Sequence, residues 1–531
     1  MLRVANFPLP QSAALVLYTD AGSGNDSTND GSKASPFASL ARGLEAVRAH
    51  RAARGIDAAR LTEADRAYLI LREGTFFLGA RSAGTLQFSA ADSYVTLQAH
   101  PGEDVVISGG VALDGLSWGR RVDAIPKREL YEYRAGTLAD GFDAAPPALM
   151  TIAEAQARCS SLPTCAAISF PDTVSPPSVK KVMASFKHEV FWVEGQTGTT
   201  YVRNIGYEPG AANLYRSAVT AGKLRAPITA LRVHGRRAVR ARYPNVKTVE
   251  QLGAMQIRAK AWTPQSSLNL TKTANYTFEP DAPRRNDTAQ GFFQAFKIGV
   301  GGDCAMRFTP QAGYWCSDDS QGGGPGPYSA PVGMTVTNES TSLPHTPYGA
   351  SAKLASQDGM LVHTWRAGRW FSWVMQTEGL PQYDPQSGTT TFDFSLEVGG
   401  NQGSRGGDAG QEFFVENVFD ELDSPGEFFY DASPPGAASM PAIWLWHNAT
   451  GPPPTSGLVA PQLVVIINAS GTQAEPVVGV GFKGLTFRDS APNYLGPHGT
   501  PSGGDWAVGR AGALWFEGTI GSLVEGCALA P

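Results

Sequence analysis

The chain has 531 residues, with 43 Lys+Arg against 48 Asp+Glu and a formal net charge of −5. That balance, with no dense basic stripe, argues against a nucleic-acid partner, and no apolar run approaches the ~20 residues of a membrane-spanning helix. The 60 Gly and 38 Pro, without a collagen-like period, fit a turn-rich, mainly β protein, and a repeating architecture would escape the domain count that length alone implies.

Taken in chain order, a short strand at Ala14–Tyr18 runs into a polar loop and then a helix. Ser35 is its expected N-cap and Pro36 its first helical residue, with Phe37, Leu40, Ala41, Leu44 and Val47 on one face. Strand segments follow at Ala67–Leu78 and Ser93–Gly110, broken by Gly, Pro and Asp turns. One amphipathic helix ahead of short β segments predicts a stacked solenoid whose open end needs a plug. This order resembles the N-terminal entry of right-handed parallel β-helix proteins of the pectate-lyase-like superfamily. The resemblance implies a mainly β fold: a right-handed parallel β-helix with an N-terminal capping helix and β-rich insertions. The expected division is 1–130 for the cap and first coils, 131–225 for an insert, 226–455 for a β-rich intermediate region with a helix near 411–422, and 456–531 for the first regular coils.

Within the insert, Ile152, Ala155, Ala157 and Cys159 fall near one side of a predicted helix, followed by Cys165 and a strand ending at Phe170. The arrangement of Ala155, Cys159, Cys165 and Phe170 resembles a reduced PAN/Apple module, which implies binding of proteins or glycans. Cys159 with Cys165, and Cys304 with Cys316, are the close-spaced candidates for disulfides, and Cys527 is left over; spacing by itself leaves other pairings open. The absence of Cys-x-x-Cys and of a nearby His ladder argues against a zinc site, and no metal or cofactor is implied.

The Arg-rich segment Arg232–Arg242 alternates with apolar residues, which reads as the exposed face of a strand turning at His234-Gly235 and ending at Tyr243-Pro244-Asn245. It resembles a hairpin of β-helical glycoside hydrolases. Trp365, Trp370 and Trp373 read as core of a small β unit, with sugar stacking as the alternative. After Gly399, the spacing of Phe414, Val415, Val418, Phe419 and Leu422 predicts a helix, with Glu412, Glu416 and Asp420 on its solvated face. Asp423 and Glu427 at the Ser-Pro-Gly turn are expected to cap backbone N–H groups. Asn417, Glu421, Leu422, Asp423, Pro425, Gly426, Glu427 and Asp431 match a segment of the same hydrolases.

From Gln462 onward, short strands recur, with Asp489, Asp505, Glu517 and Glu525 as coil-associated acids. Asp505 and Glu517 are the candidate catalytic residues, and His498, Asp505 and Trp506 form a candidate ligand-contacting lip. The resemblance places the hydrolases' own catalytic acids in coils beyond Pro531, so the chain is expected to be a front portion. Sequons at Asn25, Asn269, Asn275, Asn286, Asn338, Asn448 and Asn468 point to glycosylation and an extracellular or cell-surface location. No signal peptide is visible at Met1, so the start is expected upstream. The resemblance implies a polysaccharide-related function, as a glycoside hydrolase or polysaccharide lyase using two carboxylates ~5–9 Å apart. The alternative is a non-catalytic adhesion module that binds glycan or protein through the PAN/Apple-like insert; a wall component is a third reading.

Overall fold

The computed structural model describes residues 4–120, 131–138, 140–141, 143–171, 180–188, 192–193, 197–203, 214–243, 245, 261–263, 333–337, 359–365, 372–379, 382–384, 386, 389–399, 413–432, 440–447, 451–495 and 512–530. The fold is mainly β. Its frame is a set of parallel sheets. Leu15–Thr19, Ala67–Leu71, Val95–Ala99, Gly481–Lys483 and Leu523–Glu525 form one, with every neighbouring pair parallel. Gly74–Phe77, Val105–Ser108, Thr486–Arg488 and Ala528–Leu529 form a second, and Leu86–Phe88, Ile467–Ser470 and Leu514–Glu517 a third. Successive passes of the chain visit these sheets in the same order.

In-register stacking explains why such short strands persist. Leu17, Leu69, Leu97, Phe482 and Val524 form one column, and Phe76, Ile107, Phe487 and Leu529 another. Their inward members merge into one apolar core, so each strand gains from the strands on both sides what its own few residues cannot supply. At the last pass the column surfaces, with Leu523, Val524 and Leu529 exposed.

The helix is Leu40–Ala53, and it buries Leu40, Gly43, Leu44, Val47 and Arg51 against the first parallel strands. Its N-cap is Ser39, whose hydroxyl accepts from the Arg42 N–H at 3.1 Å, and not Ser35. The physical reason lies in Phe37. Its N–H donates to the Tyr18 carbonyl and its own carbonyl accepts from Asp20, so this residue is extended and cannot enter a helix. Ala41 faces solvent. A Cβ at Gly43 would lie 2.7 Å from the Leu69 methyls, so the lack of a side chain there sets how closely helix and strand approach. Arg48 grips the buried Asp92 through two nitrogens, at 2.7 and 2.8 Å, tying the helix to the loop before Val95.

Between Ser108 and Ile467 the chain leaves the parallel frame. Tyr131–Ala135, Asp143–Met150, Ala167–Pro171, Val182–Lys187 and Gly198–Arg203 make an antiparallel sheet. Helix Ile152–Ser161 packs on it, capped by a reciprocal Thr151–Glu154 box. The helix turns in Ala155 and Cys159, while Ala157 is exposed. Cys159 and Cys165 are disulfide-bonded, with sulfurs 2.04 Å apart; Cys527 is a free, half-buried thiol. Further antiparallel sheets carry Leu214–Ala218, Glu427–Asp431 and Ala442–Trp446, and Leu361–Trp365, Ser372–Thr377 and Phe413–Glu416.

The helix expected near 411–422 is not formed. Phe413–Glu416 is a strand in which Phe413 and Val415 are buried while Phe414 and Glu416 are half-buried, a period of two. Asn417 then adopts φ 64°, and only a single 3₁₀ turn, Phe419–Glu421, follows. The apolar residues fit a helical face and a strand-plus-turn equally well, and pairing with Leu361–Trp365 decides. Among the described residues no helix is long and apolar enough to cross a membrane.

Candidate functional site

The site begins with a turn that the sequence dictates. Arg232–Val233 and Arg236–Arg237 pair antiparallel across His234 and Gly235, whose φ values of 47° and 73° are those of a two-residue hairpin turn with the twist strands prefer. The hairpin continues through Leu458–Pro461 to Gly110–Ala112, which directly follows a strand of the second parallel sheet. Its tip therefore sits beside the corner where Thr486–Arg488 ends at Asp489 (φ 60°). Between tip and corner lies a cavity of about 260 Å³, lined by Phe77, Asp114, Arg232, His234, Arg488 and Asp489 among others. His234 lies so close over Gly457 that a Cβ there would come within 2.8 Å of its ring.

Asp489 organises this cavity. Its side chain is fully buried; Oδ2 accepts from Ser108 Oγ at 2.6 Å and from Arg488 Nε at 3.1 Å, and Arg232 Nε stands 2.7 Å from Oδ1. Burial pushes the Arg232 guanidinium below its usual value, Asp489 pulls it back up, and Arg237 and Arg488 push it down again. Arg232 and Arg240 are thus not on an exposed strand face as expected. Arg232 turns inward to Asp489, and Arg240 is buried with its guanidinium donating to the Thr229 carbonyl. Arg236 and Arg237 do remain exposed.

A second group lies on another antiparallel sheet, outside the cavity lining. On adjacent strands, His363 Nε2 and Glu416 Oε2 are 3.0 Å apart, and the imidazole stacks on Phe414 with ring centres 4.3 Å apart and planes 7° from parallel. Tyr494, from the loop that leaves Asp489, also packs on the imidazole, tilted by 58° with ring centres 5.9 Å apart. Burial acts to raise the Glu416 pKa, but the His363 bond and the charges of His363, Arg240 and Arg242 outweigh it and hold the carboxyl below its ordinary value. A carboxylate-oriented, stacked imidazole is equipped to move a proton. Glu416 was expected on the solvated face of a helix; the strand turns it inward to His363 instead. No local alternation signals this pairing: burial has a period of two only in Phe413–Glu416, and neither FFVE nor LVHTW alternates apolar with polar residues.

Of the two acids at the Ser-Pro-Gly turn, Glu427 caps backbone N–H groups as expected, whereas Asp423 bonds a side chain. Glu427 Oε2 accepts the Asp423 and Ser424 N–H groups at 3.1 and 3.0 Å, and Asp423 Oδ1 accepts from Asn245 Nδ2 at 2.6 Å. Full burial, and then the neighbouring Asp423 charge, raise the Glu427 pKa well above the ordinary glutamate value of 4.5. The native state therefore keeps this proton at pH values where the unfolded chain has lost it, so its contribution to stability is full below about pH 4.5 and declines as pH rises. Glu427→Gln retains an acceptor for the turn and removes the ionisation. We expect it to raise stability at pH 7 and to flatten the decline above pH 4.5, read from urea midpoints between pH 4 and 8.

The other expected site residues do not converge. Glu517 is exposed on the third parallel sheet, where it accepts from Trp515 Nε1 at 3.2 Å, and Glu525 pairs with Lys483 at 3.1 Å on the first. Asp489 lies at the end of the second, so the coil acids occupy different faces of the frame. His498, Asp505, Trp506, Trp370, Cys304, Cys316, Asn269, Asn275, Asn286, Asn338 and Asn448 lie outside the described residues. Of the remaining sequons, Asn25 is exposed, and Asn468 donates through Nδ2 to Gln87 at 2.8 Å.

No family model and no curated protein matches this chain. A solved structure described as a glycoside hydrolase aligns with 90% of the chain at 13% identity and a TM-score of 0.42. The chain spans 50% of that structure's length.

Proposed function

We propose that this protein is a right-handed parallel β-helix, capped by Leu40–Ala53, that engages extracellular polysaccharide at the seam between its coils and the Arg232–Arg237 hairpin. The fold reading is supported by parallel sheets visited in a fixed order, and right-handedness follows from the strong bias of parallel crossovers. The divisions at 130, 225 and 455 are part of this proposal. A disulfide between Cys159 and Cys165 suits an oxidising compartment, and glycosylation at the sequons accords with it.

The functional reading rests on one observation, the cavity at Asp489. Concave sites with a few convergent charged groups on a stiff scaffold are where small polar ligands bind. Here Asp114, His234, Arg232 and Arg488 offer both donors and acceptors to a hydroxyl-rich ring. The His363–Glu416 pair, reached from the Asp489 corner through Tyr494, is our candidate for proton transfer, beside the carboxylates that a glycoside hydrolase would also need. The test is retention of the chain on insoluble plant and algal wall polysaccharides, with release of reducing ends or unsaturated products measured in parallel. Retention weakened by His234→Ala supports the cavity; no retention and no product on any polymer overturns the reading. Product loss in His363→Ala would assign catalysis, whereas retention without product favours a binding role.

The binding alternative has its own support. On the disulfide-stapled unit Leu149 and Met183 stand directly opposite each other across two strands, 61% and 47% exposed. An apolar pair held in the open is a contact surface of the kind a PAN/Apple-like module would use.

A further inference from the structure

The faces of the Arg232–Arg237 hairpin separate its arginines. Arg237 stands directly opposite Arg232, so both project from one face, whereas Arg236 is opposite Val233 on the other. Arg232 turns to Asp489 and lines the cavity; Arg237 therefore shares the cavity's side, and Arg488 joins it from the coil corner. The cavity lining itself carries two guanidinium groups, Arg232 and Arg488, and two carboxylates, Asp489 and Asp114; Arg237 adds a third positive charge on the same hairpin face, near enough to act on Arg232. Asp489 is already engaged by Arg232, Arg488 and Ser108. Arg488 reaches it through Nε, and its Nη nitrogens bond no described residue. Arg237 forms no ion pair with a described residue and is exposed.

Like charges directly opposite on neighbouring strands are unfavourable, and burial already lowers the Arg232 pKa. The chain as a whole is negative, at −5, so this excess of positive charge is local and not a general property of the surface. An arginine fork matches the planar or tetrahedral oxygens of a carboxylate or sulfate.

We propose that the mouth of this cavity is an oxyanion subsite, in which Arg237 and Arg488 hold a carboxylate or sulfate borne by a sugar residue. This rests on the polysaccharide reading above and adds to it a charge requirement. Duplex nucleic acid fits less well, because the lining carries two carboxylates and the patch is one hairpin wide, too short to follow a phosphate backbone.

Affinities are to be measured by calorimetry on the intact chain for four probes: alginate oligomers, their carboxyl-reduced forms, sulfated galactan oligomers and their desulfated forms. We expect one acidic member to bind at least tenfold more tightly than its neutral counterpart, with the preferred pair identifying the group. Arg237→Gln should remove that preference, while Arg236→Gln, on the opposite face and equally exposed, should leave it unchanged. Binding of neutral and acidic forms with equal affinity would overturn the subsite and leave the polysaccharide reading standing. No binding of any probe, combined with no retention on wall polymers, would overturn both. Equal losses in the two arginine variants, or equally tight binding of duplex DNA, would reduce the effect to general attraction between charges and reject the subsite.

Discussion

Replacing Asp489 with alanine is expected to destabilise the fold by about 3–5 kcal/mol, the range for removing one partner of a buried charge pair. The side chain of Asp489 is fully buried and that of Arg232 is only 12% exposed, so water screens little of their attraction. The variant leaves the Arg232 guanidinium facing an apolar hole and takes the acceptor from Ser108 Oγ. It also places alanine at φ 60°, where a Cβ without a local hydrogen bond costs about another 1–2 kcal/mol. Asp489→Asn should lose less, because asparagine tolerates this backbone region and can still accept from Ser108. Urea unfolding followed by circular dichroism measures the difference. An alanine midpoint equal to that of the native chain would mean that this corner contributes nothing to holding coil and hairpin together.

Phe482→Ala is the second large effect, about 3–5 kcal/mol. Phe482 is fully buried and meets Phe88, Phe487 and Phe516 edge-on, with ring centres 5.6, 5.8 and 6.1 Å away. It stacks between Leu97, on the far side of the long insertion in sequence, and Val524 near the end of the described chain. The cavity left behind would thus be shared by every later pass, and the loss should appear as one cooperative shift of the whole transition to lower temperature. Phe482→Leu, which keeps most of the volume, should recover most of it. A separate early melting of residues 467–529, with the remainder unshifted, would show that the two parts of the frame fold independently.

Local physics made much of this legible. The His234-Gly235 turn, the helix before Val95, the strands near Leu69, Val95, Ile107 and Phe482, and the capping of the turn by Glu427 each follow from a few consecutive residues. Ser35 does not cap the helix, because Phe37 finds strand partners that its neighbours in sequence do not reveal. Residues 413–422 form a strand and a 3₁₀ turn in place of the expected helix for a related reason. A spacing of three and four satisfied the apolar count, but Glu416 had a histidine waiting on the next strand, 53 residues away in sequence.

The pairing that matters most for the site is longer still. The Ser108 hydroxyl donates to Asp489 across 381 residues, and Arg66 donates to the Gly479 carbonyl across 413. By itself, the chain's order of residues determined which stretches are short strands, where they turn, and which faces are apolar, because those properties depend on φ, ψ and side-chain alternation within a few residues. Only the tertiary structure decided that the insertion interrupts a stack of parallel strands and returns to it, and that Arg232, Arg488 and Asp489 meet there. Register between distant strands is set by the summed burial of whole columns and by charge pairing across them, and neither quantity exists until the strands are side by side.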